Sequence, residues 1–162
     1  MDKLSPHAAR TAQHVMPILL ALAGLAAGPS SAASPAAQQA SDAGAPGYAE
    51  RVMHAVNAYR AEKGLPALLP APALVTLAAE HSSGMAARKR PSHDGFAQRF
   101  ERTGAELCVE NVAQGFRVPE QVLIGWRTVA THHRNLLEPR VRYLGLANSG
   151  LYVTFFACDT PD

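Results

Sequence analysis

Residues 29–47 consist almost entirely of Ala, Ser, Pro, Gln and Gly, with no apolar periodicity. That break limits the possible fold more than any other feature of the chain. Such a segment cannot bury enough surface to offset the entropy of ordering it, so it reads as a linker. What can fold is confined to residues 48–159, which is room for one domain. The hydrophobic fraction of 48% overstates the core, because much of the alanine lies in the first fifty residues.

The start of the chain reads as an export signal. Lys3 and Arg10 supply positive charge, residues 15–27 form an apolar stretch, and Ser31 and Ala33 are small residues placed for cleavage after Ala33. The expected division is a signal peptide over 1–33, a linker over 34–47 and a domain over 48–159. The apolar run is shorter than the roughly 20 residues that span a bilayer. A long n-region and Pro17 leave an uncleaved anchor as the alternative, and that is the one membrane attachment expected. No cysteine follows the apolar run, which argues against a lipoprotein. The mature protein is expected to be secreted or periplasmic, and monomeric. Cys108 and Cys158 are the two cysteines. In an exported chain an even count favours a disulfide. Free thiols or a metal pair are the alternatives, though two cysteines without a C-x-x-C make poor zinc ligands.

Lys and Arg number 15 against 13 Asp and Glu, a net charge of +2. No basic stripe interleaved with aromatics is present, so nucleic acid is not an expected partner. The short Arg88-Lys89-Arg90 run reads as a solvated helix end, where cations complement the helix dipole.

Apolar spacing predicts a helix over 48–63 ended by Gly64, with Val52, Ala55, Val56 and Tyr59 on one face. A second helix is expected over 72–89, with Leu74, Leu77, Ala78, His81 and Met85 aligned. Residues 65–68 read as extended ahead of it, 92–95 as a loop, and 96–102 as a short helix ended by Gly104. Residues 106–114 look extended or irregular. A third long helix is expected over 120–130, with Pro119 suited to its first turn. Strands over 143–147 and 151–157 follow, joined by a turn at Asn148-Ser149-Gly150. Helices early and antiparallel strands late describe a layered α+β domain.

Three polar elements interrupt this apolar pattern: His93 in Ser92-His93-Asp94-Gly95, Glu110 in Glu110-Asn111-Val112-Ala113, and the His132-His133 pair. Two imidazoles and a carboxylate suit a zinc site, and equally a histidine paired with a carboxylate without metal. Each also has a plainer reading, with His93 and Glu110 bonding backbone groups of their own loops and Asn111 satisfying backbone. His81 reads as a satisfied core histidine, Trp126 as a core anchor, and Arg60 as a packing residue bonded to a carboxylate. His54 is expected to be exposed.

Taken in order, these segments resemble the CAP superfamily of cysteine-rich secretory (SCP-like) extracellular domains, in its bacterial branch. The resemblance rests on Asn57-Ala58-Tyr59-Arg60, Gly64-Leu65-Pro66-Ala67-Leu68, Ser92-His93-Asp94-Gly95, Glu110-Asn111-Val112-Ala113, Trp126 with His132 six residues on, and Asn135-Leu136-Leu137 before the closing strands. It implies a three-layer α/β/α sandwich around a central antiparallel sheet, with a cleft of two histidines and two glutamates that in some members holds zinc or another divalent ion. His93, Glu110 and His132 match three of the four. His132 fits better than His133 because it lies six residues after the tryptophan and three before Asn135. The second glutamate has no counterpart between Arg127 and Thr131.

The resemblance implies a binding module for a small ligand, lipid or cell-envelope component, with His93, Glu110 and His132 as candidate ligands for Zn2+ or another divalent cation. The alternative is a metal-assisted hydrolase of peptide or peptidoglycan, with Glu110 as general base. No H-E-x-x-H helix or G-x-S-x-G elbow is present, and nothing marks Ser92 as an activated nucleophile. A purely structural or adhesive domain is the third reading.

Overall fold

The computed structural model describes residues 47–161. The expected signal peptide and all of the linker except Gly47 lie outside the described residues. The elements in chain order are α1 (Tyr48–Glu62), β1 (Leu69–Pro70), α2 (Pro72–Arg88), α3 (Phe96–Glu101), β2 (Cys108–Gln114), α4 (Pro119–Thr128), α5 (Ala130–Leu136), β3 (Tyr143–Ser149) and β4 (Tyr152–Cys158). The strands form one sheet in the order β1-β3-β4-β2. The three long strands are antiparallel, and the two residues of β1 join β3 in parallel at the far edge.

Strand alternation divides the interior into two layers. Leu144, Leu146, Val153, Phe155 and Ala157 point to one face, where they pack with Val52, Val56, Val122, Trp126 and Leu136 from α1, α4 and α5. Ala147, Phe156, Cys108 and Cys158 point to the other, against Leu74, Leu77 and Ala78 of α2. This is the α/β/α sandwich that the resemblance to the CAP superfamily implies, within the α+β class that the element order predicts. α2 runs directly over β3 at Gly145, where an added Cβ would fall 1.9 Å from the Leu74 carbonyl oxygen.

The helices fall where their periodicity places them. α1 buries Val52, Val56, Tyr59 and Arg60, and α2 buries Leu74, Leu77, Ala78, His81, Ser82 and Met85. The extended stretch at 65–68 leads into β1, and 108–114 forms a regular strand. The segment after α4 becomes a separate helix, α5, because Val129 breaks the helical path with an extended backbone (φ −105°, ψ 118°). The hairpin turn is shorter than expected. The ladder runs on to Ser149 opposite Tyr152, which leaves Gly150 and Leu151 as the turn, with Gly150 at φ +55°.

Two polar residues of α1 hold the surrounding loops. The Asn57 side chain donates to the Leu68 carbonyl (3.0 Å) and accepts from the Leu68 N–H (2.9 Å), as a strand neighbour would. Arg60 is fully buried. It bonds no carboxylate, contrary to expectation. Its guanidinium donates to the carbonyls of Pro66, Leu136 and Glu138, joining α1 to the end of α5. Burial holds its pKa below the ordinary arginine value.

Cys108 and Cys158 form a disulfide across directly opposed positions of β2 and β4. The bridge closes a loop with a sequence separation of 50, which in the chain-entropy account contributes about 4 kcal/mol.

Candidate functional site

β2 is the outer strand of the sheet, and its alternation sends Glu110 to the same side as Cys108, toward α2 and α3. The Glu110 side chain is 2% exposed. A carboxylate buried this deeply requires charged partners. Arg99 of α3 donates to its Oε2 through both Nε (3.0 Å) and Nη2 (2.6 Å). His93 bonds its Oε1 through Nδ1 at 2.8 Å. A carboxylate only accepts, so Nδ1 carries the proton and Nε2 of the neutral ring is left with its lone pair.

The loop that carries His93 is held from several sides. α2 ends at Lys89 in the left-handed region (φ +51°), and Pro91 cannot continue the helix. Buried His81 donates from Nε2 to the Ser92 carbonyl (2.7 Å), Arg99 Nη1 donates to the Asp94 carbonyl (2.9 Å), and Arg90 pairs with Asp94. Burial, the largest influence, lowers the His81 pKa, with Glu110 nearby pulling the other way. His93 itself remains half exposed.

α5 is stitched to β2 by two asparagines. Asn111 donates to the His132 carbonyl, and Asn135 donates to both the Glu110 carbonyl and Asn111 Oδ1. These bonds bring the His132 ring to 6.4 Å from the His93 ring, centre to centre. Burial, then the neighbouring His93, lowers the His132 pKa. His133 turns away, its Nε2 bonded to the Tyr59 hydroxyl at 2.7 Å. The three segments thus meet, and His132 is the imidazole that faces the cleft.

Beside the two rings lies a cleft of about 600 Å³, within the usual size of small-molecule sites. Its walls include Val112, Phe116, Trp126 and Val129 together with His93 and His132. Trp126 donates its indole N–H to the Val112 carbonyl (3.0 Å) and packs edge-on against Phe155. Gly125 gives the wall its shape, since a Cβ there would press within 2.6 Å of the Phe116 ring. Trp126 and Asn135 also cap the outward carbonyls of β2, protecting this edge from further strand pairing.

The model of the cysteine-rich secretory protein (CAP) family matches residues 53–159. The chain belongs to that family. Its fold is shared with an extracellular SCP-domain protein from Bacillus anthracis at 24% identity and a TM-score of 0.66, covering 70% of this chain and 40% of that one. It is shared likewise with a cysteine-rich secretory protein from Staphylococcus aureus, at 16% identity and 0.64, covering 70% and 38%. An outer surface protein from Borrelia burgdorferi aligns at 17% and 0.59, covering 68% and 89%. This chain therefore spans about two fifths of the first two proteins. No curated protein matches it.

Within this CAP domain two of the three expected metal ligands, His93 and His132, line the cleft, and the third, Glu110, is bonded to His93. Glu110 has both oxygens engaged by Arg99 and His93 and is not among the residues that line this cleft. Among the described residues, no three His, Cys, Asp or Glu side chains are grouped to hold a metal. Two imidazoles are what remains on the cleft side. Ser92 is buried, and His93 Nδ1 points to Glu110 rather than to Ser92. The sequence reading missed Arg99 because an arginine in a short helix ordinarily reads as solvated. The signal available was its position, on a helix just after the His93 loop and ahead of the strand bearing a lone buried acid.

Proposed function

We propose that this CAP domain is an exported binding module whose cleft takes a small, largely apolar ligand with a hydrogen-bonding head group, such as an envelope lipid. One observation carries the reading: a cleft of about 600 Å³ is lined mostly by apolar side chains together with two neighbouring imidazoles. Such a site buries a hydrocarbon body and fixes orientation through few polar groups. The extracellular and outer-surface settings of the structural relatives support export, as does the disulfide. Among the described residues no helix is long and apolar enough to cross a membrane.

The geometry does not favour hydrolysis with Glu110 as base. A general base must reach the proton that it removes, directly or through one water. Glu110 is buried behind His93, with both oxygens bonded.

Trp126 is the one tryptophan of the chain and lines the cleft, so its fluorescence reports occupancy. Titrating the purified chain with dodecanoate should give a saturable change in that emission. Val129→Asp, which places a charge on the apolar wall, should weaken the response at least tenfold. A linear response, or one unchanged in Val129→Asp, would defeat the proposal. Titration with zinc in parallel asks whether the two imidazoles capture a cation.

A further inference from the structure

Arg99 bonds two things at once, the acid behind His93 and the backbone beside it. Its Nε and Nη2 hold Glu110 Oε2, while Nη1 holds the carbonyl of Asp94, the residue next to His93. The Arg99 side chain is only 9% exposed. Gly95 makes room for it, because a Cβ there would stand 3.2 Å from Nη1. Three donations in two directions suit the planar fork of a guanidinium and exceed what the single point of an ammonium can place.

We propose that Arg99 is the positioning residue of the cleft: by fixing Glu110 and the Asp94 carbonyl together, it holds His93 as the Nδ1–H tautomer with Nε2 turned to the ligand. A mere counter-charge to Glu110 would need neither the fork nor the Asp94 bond. An imidazole whose donor nitrogen is fixed offers its other nitrogen in one direction only, which is how an outer partner sets a binding histidine. The consequence for ligand capture rests on the binding reading above; the tautomer does not.

The decisive test is imidazole 15N spectroscopy of the folded, ligand-free chain at a pH where His93 is neutral. Wild type should show His93 in the Nδ1–H form alone. Arg99→Lys keeps the positive charge and loses the fork, and should show a mixture of Nδ1–H and Nε2–H. A mixture already in wild type, or an unchanged single tautomer in Arg99→Lys, would overturn the proposal. Should Arg99→Lys not fold, Arg99→Ala supplemented with methylguanidinium gives the same readout. Return of the Nδ1–H signal with the fold supports the proposal, and return of the fold without it overturns it. If His93 captures zinc, Arg99→Lys should also weaken that capture by about tenfold, the loss expected when an orienting partner is removed. Absence of zinc or dodecanoate binding in wild type would count against the binding reading and leave the tautomer result standing.

Discussion

At the residue scale, charge balance decides which positions tolerate change. Glu110 and Arg99 are both buried, and removing one leaves the other uncompensated away from water. His93 meets the same carboxylate but is half exposed, and a vacated site would fill with solvent. Arg99→Ala should therefore cost about 3–5 kcal/mol, and His93→Ala less than about 1 kcal/mol with the fold intact. Urea denaturation of the two variants checks this ordering; equal losses would mean that the pair contributes little. The same contrast explains what the sequence could disclose. His93, Glu110 and His132 stand out as polar residues in apolar or turn-forming surroundings, within motifs that match a family. Their bonding is set by contacts between segments far apart in the chain. The Arg99 fork and the turning of His133 to Tyr59 have no local pattern to announce them.

At the element scale, periodicity carries most of what was legible. α1 and α2 form where their apolar faces recur, and β4 where Tyr, Val and Phe cluster. β1 offers nothing to read because two residues make no pattern; backbone bonds from Leu69 and Ala71 pair it to β3, and Asn57 clamps Leu68 just before it. α5 has no apolar pattern to announce it, because its seven residues bury only Leu136. It is held to β2 by asparagine bonds more than by an apolar face. Glycines show where elements touch most closely. Gly145→Ala would drive a Cβ into the Leu74 carbonyl, a backbone atom that cannot rotate away. α2 would have to lift from the sheet, and the loss should reach about 3 kcal/mol, the upper part of the overpacking range. Gly150→Ala meets open space and carries only the strain of φ +55°, about 1–2 kcal/mol. Thermal unfolding of both variants should rank them in that order. A Gly145→Ala domain as stable as Gly150→Ala would show that α2 is not seated on β3 as described.

At the scale of the whole domain, His81 links the layers. It belongs to α2, it holds the loop of His93, and its Nε2 stands 3.9 Å from Glu110 on the sheet. Arg99 and Arg88 are the cations that act on it, and burial outweighs Glu110, so its pKa falls below the ordinary 6.5. The sign of the linkage follows. Above about pH 6.5 the ring is neutral in both the folded and unfolded chain, and stability is at its full value. As the pH drops below that point, the unfolded chain takes up a proton that the folded domain refuses. Stability is lost until the folded pKa is reached. His132 is shifted the same way by its burial and adds to the loss. Glu80 and Glu138, held low by Arg102 and Arg140, weaken the fold only at more acidic pH, below their ordinary 4.5, and the exposure of Glu80 and of the partner Arg140 keeps that effect small. The free energy of unfolding should thus fall as the pH drops below about 6.5, ahead of carboxylate titration. His81→Gln has no ionisable group and a carboxamide able to donate to the Ser92 carbonyl, so it should flatten that slope while His132 retains its share. A slope that survives His81→Gln unchanged would place the acid sensitivity elsewhere in the molecule.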